Sequence, residues 1–379
     1  MSESRITVLS YFMVLIGYMT ITLSLPLAGV RLDGLSSTVF QYGVALSFFM
    51  FSVSAIVLSR LTDFLGAYTV LKFAQPISIL GLILLACFHN TIIVLGAFFL
   101  LGLGTGCYSS ISRSLIAQHT RTAEQMRKRF ASFSLIFMTG PLISARISLS
   151  FVGSNWHMAY WMMAAIEVLL LVGVWFVLHG MAAQTQTIRM KTIWQGYAYC
   201  LAKRQYWTNM IIVGAVVALI INVLAGNALQ LFSQQYHFSS TQISLALPAV
   251  IITYLIGIVL FRVLSNSVPL LWLRVAAMSM LMLGVVVFSC SSTTGWVLVS
   301  LYLMCVALGM LSPMSTSHGM LVIDKNHGAA AALFTFAFAL ISGMWSLVRA
   351  WTTLSPHAFI ALAILISWLV MAGLLFIHK

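Results

Sequence analysis

Two charged residues, Arg146 and Glu167, lie inside long apolar segments of the chain. A charge alone in hydrocarbon is costly, so buried ionisable residues in such segments are usually paired or functional. Counted inward from the periplasmic ends of their two predicted helices, Arg146 lies about 6 residues deep and Glu167 about 10. At 1.5 Å per residue, the two residues differ in height by ~6 Å. An arginine side chain can bridge that distance, so the sequence predicts an ion pair.

Two interpretations of this pair stay open. In the first, the pair is static and holds two neighbouring helices together. In the second, Glu167, the only carboxylate deep in an apolar segment, binds and releases a proton. Burial would favour its neutral form, and a nearby Arg146 would favour its charged form.

Motifs for other kinds of chemistry are missing from the sequence. It contains no G-x-x-x-x-G-K-[ST] phosphate loop, no H-E-x-x-H zinc motif and no G-x-S-x-G nucleophile turn. The five cysteines have no C-x-x-C spacing and are predicted to be packing residues (Cys87, Cys107, Cys200, Cys290 and Cys305). We therefore expect no enzymatic activity, no cofactor and no metal site.

The composition indicates an integral membrane protein, because 61% of the residues are hydrophobic and only 7% are charged. In a typical soluble domain about 25% are charged. The net charge of +13 could suggest nucleic acid as a partner. However, the cations lie in short gaps between apolar runs, where they would meet lipid headgroups. We expect membrane lipids and no nucleic acid as partners, and a first apolar run that is retained as a helix because no cleavage site follows it.

Twelve apolar runs have the length of about 20 residues that a membrane-spanning helix needs. We number them as spans 1 to 12, and their predicted limits are 6–28, 43–62, 69–88, 91–112, 130–152, 157–179, 206–228, 242–264, 269–290, 295–317, 329–349 and 356–377. The longest gap predicts two six-helix domains, 1–179 and 206–379, joined by a linker at 180–205. Its basic and aromatic residues, including Trp194 and Tyr197, suit a helix that lies on lipid headgroups.

The positions of the cations test this division independently. With the N-terminus inside, sixteen of the nineteen Lys and Arg residues fall on the cytoplasmic side, leaving only Arg31, Arg146 and Arg349. Because cytoplasmic loops carry the excess of Lys and Arg, the bias predicts that the N-terminus, the linker and the C-terminus are all cytoplasmic.

Two groups of six helices with a central linker are the plan of the major facilitator superfamily. The segment 59–66, with Asp63 and Gly66, resembles the loop motif of that superfamily, and Gly140-Pro141 resembles its antiporter motif. A finer resemblance is to the Bcr/CflA type of drug/proton antiporters. It rests on Leu25-Pro26, Ile111-Ser112-Arg113, Trp156 with Tyr160, Leu308-Gly309 followed by Pro313, and Gly328-Ala329-Ala330-Ala331.

The resemblance implies an all-α, twelve-helix monomer that exports small molecules across a bacterial cytoplasmic membrane against a proton gradient. The chain departs from the family in three places. Thr22 stands at the first-helix acid, Phe98 and Leu101 at a fourth-helix arginine and glutamine, and Ala67 and Tyr68 at the loop arginines. Two alternatives therefore stay open: an importer of a small organic anion, suggested by Arg113 and Arg146, and a transport-inactive sensor or scaffold.

The central cavity of this fold is lined mainly by spans 1, 4, 7 and 10, whose polar residues are the predicted substrate site. These residues are Tyr18, Thr22, Tyr108, Arg113, Asn222, Asn227, Gln230 and Ser315. Most are uncharged, and many methionines and aromatic residues lie nearby, which suits a lipophilic or amphipathic drug or a secreted metabolite such as a siderophore. For each residue the alternative role is a hydrogen bond between helices.

Gating is predicted at two places. Asp63, with Gly66 nearby, would meet the positive N-terminal end of span 11, which begins near Gly328. Gly140 and Pro141 would give span 5 a bending point. The glycines of span 4 (Gly102, Gly104 and Gly106) are expected instead to serve close helix packing.

We predict that reporter fusions at Gln184 and at Lys379 both report a cytoplasmic location. The physical reason is the concentration of sixteen cations on one side of the membrane. Paired reporters that are active only in the cytoplasm or only in the periplasm measure this. Opposite signals from the two fusions would mean that a span was miscounted.

Overall fold

The structure, a computed structural model, describes residues 3–27, 37–118, 123–151, 155–179, 190–265, 267–291, 293–324 and 326–376. Within these ranges it is all-helical. The α-helices are α1 (Glu3–Thr22), α2 (Ser37–Cys87), α3 (Thr91–Gln118), α4 (Ala123–Phe151), α5 (His157–Leu178), α6 (Met190–Ala202), α7 (Arg204–Ala218), α8 (Gly226–Gln230), α9 (Ser240–Leu264), α10 (Leu270–Cys290), α11 (Thr294–Leu321), α12 (His327–Trp351) and α13 (Pro356–Phe376). Two π-helical stretches, Leu219–Ala225 and Leu231–Gln235, flank α8.

The prediction of twelve membrane-spanning helices is confirmed. Eleven segments of the described chain are long and apolar enough to cross a membrane, and the shorter apolar helix Pro248–Leu264 is the twelfth. Helix α2 crosses twice, as Thr38–Thr62 and Leu65–Cys87, and span 7 is built from α7, a π-helical stretch and α8. Most predicted limits agree with the helix ends to within a few residues, but α3 continues to Gln118.

The turn between spans 2 and 3 is formed by one residue. Gly66 has φ 79° and ψ 153°, a backbone conformation that a side chain disfavours, and helical structure continues on both sides of it. The predicted loop 59–66 is therefore helical up to this glycine. The side chain of Asp63 lies outside the described residues, so its predicted contact with span 11 stays a prediction.

The predicted bending point at Gly140 and Pro141 lies within a continuous helix, and bending there stays a prediction. Helix α4 continues through Gly140 and Pro141 to Phe151, and the Ser144 hydroxyl donates to the Pro141 carbonyl. Irregular backbone is found in span 7, where the π-helical stretches occur. These stretches position three of the predicted site residues, Asn222, Asn227 and Gln230.

The two halves of the chain, α1–α5 and α7–α13, meet along α2 and α12. At the end of the bundle that carries α6, here called the linker end, Ser109 lies 3.5 Å from Thr335 across the interface. At the opposite end, the Cβ position of Gly226 lies 3.5 Å from Leu25. The halves thus touch at both ends of the bundle.

Close packing of α3 on α2 depends on the three glycines of α3. A Cβ atom on Gly104 would lie 2.5 Å from the Ser78 backbone nitrogen. Gly102 and Gly106 approach the backbone carbonyls of Ser47 and Phe51 in the same way. This geometry agrees with the packing role predicted for these glycines, because a side chain at any of them would force the two helices apart.

We predict that Gly106→Ala lowers the free energy of unfolding by about 1–3 kcal/mol, because the added methyl group overpacks a backbone contact. Gly96→Ala in the same helix is the matched control, since a Cβ there meets nothing within 4 Å. Its expected effect is within about 0.5 kcal/mol. Unfolding curves in detergent micelles measure both variants, and equal effects would contradict this account of the α2–α3 contact.

Candidate functional site

Glu167 is fully buried in the first half of the chain, at 0% exposure. Its Oε1 lies 2.8 Å from the Thr20 hydroxyl on α1, and its Oε2 accepts a hydrogen bond of 3.0 Å from the Tyr108 hydroxyl on α3. Within the described residues no cation forms an ion pair with it. The Glu167 carboxyl therefore joins α1, α3 and α5 through neutral hydroxyl groups.

The Thr20 hydroxyl also lies 2.8 Å from the Ile16 carbonyl oxygen, which can only accept a hydrogen bond. A hydroxyl has one proton to donate and can accept as well. When Glu167 is ionised, Thr20 can donate to the carboxylate. When Glu167 is protonated, the acid can donate to Thr20 while Thr20 donates to Ile16. The same geometry thus provides hydrogen bonds for both protonation states of the carboxyl.

The predicted ion pair between Arg146 and Glu167 is wrong, because the Arg146 side chain is exposed. Helix α4 faces α1 with residues four apart. Ser144 lies 2.8 Å from the Thr22 hydroxyl, and the Ser148 hydroxyl donates to the Leu23 carbonyl. Arg146 is two residues from either serine, on the opposite side of the helix. It therefore points away from α1 and from Glu167.

Tyr18 belongs to an aromatic cluster between the two halves, formed by Tyr18, Phe51, Phe137 and Phe338. The Tyr18 ring centroid lies 3.9 Å from that of Phe137 and 5.6 Å from that of Phe338 on α12. The buried Tyr18 hydroxyl has no hydrogen-bond partner in the described part of the chain. Thr22, also predicted to line the cavity, lies instead in the contact with α4 described above.

Arg113 bridges the halves near the linker end. Its Nη1 donates to the Thr335 hydroxyl of α12 at 2.9 Å, and its guanidinium carbon lies 4.9 Å from the centroid of the Phe133 ring. Gly328, at the start of α12, lies close to α3, with its Cβ position 3.9 Å from the Ser114 hydroxyl oxygen. Span 11 therefore begins beside the end of span 4, where the resemblance places part of the gate.

A surface ion pair anchors the loop that precedes α12. Lys203, just before α7, lies 2.8 Å from the Asp324 carboxylate. The hydrogen bond from Lys203 lowers the pKa of Asp324. Asp324 therefore forms its ion pair at the linker end of the bundle and is not part of the Glu167 network.

The π-helical stretch of span 7 places Asn222 against α12, where the Asn222 side-chain oxygen accepts a hydrogen bond of 2.9 Å from Ser346. The Asn227 amide donates to the carbonyls of Asn222 and Val223, both at 3.0 Å. Gln230 accepts a hydrogen bond of 2.8 Å from Arg349. Side chains of span 7 thus hydrogen-bond to the irregular backbone itself and to α12.

Asn222, Asn227 and Gln230 share a cavity of about 40 Å³ between the two halves, here called the inter-half cavity. Its other lining residues include Leu25, Gln41, Val44, Trp345, Ser346 and Arg349. Ser315 is not among the lining residues; it is buried, and its hydroxyl has no hydrogen-bond partner within the described ranges. The eight predicted substrate residues therefore do not surround one common cavity in this conformation.

Sequence analysis missed the hydrogen-bonding partners of the predicted residues in these two sites. Thr20 completes the Glu167 network, and Ser78 lies 3.1 Å from the Tyr108 hydroxyl in the same network. Ser346 and Arg349 complete the inter-half cavity. Only Arg349 carried a signal, because it was one of the few cations outside the predicted cytoplasmic side.

We predict that Tyr108→Phe lowers the free energy of unfolding by about 1–3 kcal/mol, because it removes a donor from a buried carboxyl. Tyr302→Phe is the control, since the Tyr302 side chain is half-buried and its hydroxyl has no hydrogen bond in the described part of the chain. Chemical unfolding in micelles compares the two variants. A loss as large in Tyr302→Phe would mean that Tyr108 contributes nothing beyond the burial of its ring.

Comparison with known proteins places this architecture in a family. Residues 7–347 match the family model described as Major Facilitator Superfamily. The fold is similar to that of the xylose transporter XylE from E. coli in a partially occluded inward open conformation, with TM-score 0.69, 15% identity, and 98% of this chain and 97% of that chain covered.

It is also similar to the human organic anion transporter MFSD10, with TM-score 0.64, 14% identity, and 98% of this chain and 100% of that chain covered. Comparison with curated protein sequences gives no match. The family match covers most of the chain, and both solved structures share its helical fold from end to end. This multi-pass membrane protein belongs to the major facilitator superfamily.

Proposed function

We propose that the chain is a secondary active transporter that exports a lipophilic or amphipathic small molecule across a bacterial cytoplasmic membrane by proton antiport. The cargo class includes drugs and secreted metabolites such as siderophores, in line with the resemblance to the Bcr/CflA-type antiporters. In this proposal the transporter works as a monomer with cytoplasmic termini, and Glu167 is the residue that takes up and releases the proton.

The single observation that carries the proton role is the arrangement of Thr20 between Glu167 and the Ile16 carbonyl. Both hydrogen bonds measure 2.8 Å, so the carboxyl has a hydrogen-bond partner whether it carries the proton or not. An ionisable residue within a membrane span is a functional-site candidate by default, and where it is not functional it is usually paired. Within the described residues Glu167 has hydroxyl partners and no cation.

Helix α1 supplies the link from the proton site to the interface between the halves. Thr20 contacts Glu167, while Tyr18, two residues earlier, contacts Phe338 of the second half. Tyr108 also links α1 to the proton site, because its ring packs against Gly17 and its hydroxyl donates to Glu167. A change of hydrogen bonding at Glu167 would therefore act on the helix that also carries part of the aromatic cluster.

The aromatic cluster supports the proposed cargo class. Tyr18, Phe51, Phe137 and Phe338 are apolar faces at the boundary of two domains, which is where ligand sites of this kind form. Rocking of the two halves, the motion by which such transporters alternate access, would separate these rings and expose them to a ligand.

Import of a small organic anion is the second candidate function. It is favoured by two arginines at opposite ends of the interface, Arg113 near α6 and Arg349 near the inter-half cavity. In the described part of the chain both donate only to neutral groups: Thr335 and the Ala331 carbonyl for Arg113, and Gln230 and the Leu354 carbonyl for Arg349. A transport-inactive sensor or scaffold is the outcome if no flux is found.

The proposal predicts that Glu167→Gln keeps its fold but loses transport driven by a pH gradient. The amide mimics the protonated acid, because its NH₂ group can donate to Thr20 while its oxygen accepts from Tyr108. Proteoliposomes loaded with ethidium or a hydroxamate siderophore measure efflux with and without an imposed gradient. Exchange without a gradient should persist in the variant.

Asp324→Asn is the control, since it removes the other described carboxylate, at the protein surface. It should respond to the gradient as the wild type does. An undiminished gradient response in Glu167→Gln would contradict the proton role. Uptake of an organic anion by the wild type, with no efflux of either compound, would favour the second candidate, and no flux of any compound would favour the scaffold.

A further inference from the structure

Two residues that line the inter-half cavity each have a buried N–H donor without an acceptor in the described part of the chain. Asn222 is 5% exposed, and its Nδ2 has no hydrogen-bond partner in the described part of the chain. The buried Nε of Arg349 has none there either. Buried polar groups in native proteins are almost always hydrogen-bonded, so two such donors at one cavity point to an acceptor that binds there.

Because Arg349 is positively charged, the expected acceptor is an anion. Its other nitrogens donate to the Leu354 carbonyl at 2.7 Å and to Gln230 at 2.8 Å, and its guanidinium carbon lies 5.3 Å from the centroid of the Phe359 ring. All these partners are neutral. The two carboxylates whose side chains the structure describes, Glu167 and Asp324, are engaged elsewhere. The described chain thus supplies a cation at this cavity without a counter-charge.

The volume and shape of the cavity limit the anion. A cavity needs roughly 10–15 Å³ to hold one water, so about 40 Å³ has room for a small polar group such as a carboxylate. A guanidinium and an amide present donors to two separate oxygen atoms, and arginine is the preferred partner of planar oxyanions. Leu25, Val44 and Trp345 form an apolar rim.

We propose that the inter-half cavity binds the carboxylate group of an amphipathic organic anion, and that this anion is the transported substrate. The inference rests on the proposed transport function and names its substrate class. Since Leu25 belongs to the first half and Asn222 and Arg349 to the second, the bound carboxylate would lie across the interface. The body of the ligand would follow the apolar rim once the halves separate.

Binding to the purified full-length protein in detergent tests this inference without any proton gradient. Four probes are titrated and read by thermal stabilisation: formate, benzoate, the neutral analogue benzamide, and chloride. We expect formate and benzoate to stabilise the wild type, and benzamide to have no effect. Chloride should be far weaker, because one spherical ion cannot meet two separated donors as a carboxylate does.

Arg349→Gln should weaken benzoate binding roughly 10- to 100-fold, the effect of losing a charge-assisted hydrogen bond. Asn222→Ala should weaken it roughly tenfold and keeps the test decisive if Arg349→Gln fails to fold. Arg262→Gln is the control, because this arginine is exposed on α9. Its benzoate affinity should equal that of the wild type.

Equal benzoate affinity in the wild type and both cavity variants would overturn the inference. So would equal binding of benzamide, or binding of chloride without binding of either carboxylate, which would indicate a site for a free inorganic ion. These outcomes are distinct from failure of the proposed function, because gradient-driven efflux can persist in a protein that binds no carboxylate here. Conversely, carboxylate binding can persist in Glu167→Gln.

Discussion

Glu167 is a buried carboxyl group with no cation beside it in the described part of the chain, and this is the constraint around which the first half of the protein is built. Neither water nor lipid tails can supply hydrogen bonds at that depth, so the neighbouring helices must supply them. Helices α1 and α3 provide Thr20 and Tyr108, and both must come within about 3 Å of α5. That approach depends on small residues, since Gly17 lies directly against the Tyr108 ring and the glycines of α3 allow α2 to pack behind it.

Helix α1 has two tasks because of this arrangement. On one face Thr20 completes the buried network. On the opposite face Thr22 contacts α4, and Tyr18, four residues earlier, reaches the interface with the second half. In the proposed antiport, one element has to contact both the proton site and the surface that moves. In this chain Thr20 and Tyr18 lie within one turn of α1. A displacement of α1 at Glu167 would therefore also move Tyr18 in the aromatic cluster.

Much of the architecture could be predicted from the sequence because membrane insertion leaves strong, local signals. The length of each apolar run predicted the twelve spans, and Gly66 marked the turn between spans 2 and 3. The partner of Glu167 could not be predicted in the same way. Depth along a helix follows from counting residues, but the face that α4 turns towards α1 is decided by Gly140, Ser144 and Ser148, and this excludes Arg146. The π-helical backbone around Asn222 likewise has no recognisable pattern in the sequence. The cavity that Asn222 shares with Arg349 therefore could not be predicted from the sequence.

The central claim is that Glu167 changes its protonation state during transport. Infrared difference spectroscopy of the protein in lipid, recorded as the pH is cycled across the physiological range, observes the C=O vibration of a protonated carboxyl directly. The account predicts a band that appears and disappears with pH in the wild type, is absent from Glu167→Gln, and is unchanged in Arg146→Gln. A carboxyl band that persists in Glu167→Gln, or a Glu167 that stays in one state throughout, would contradict it.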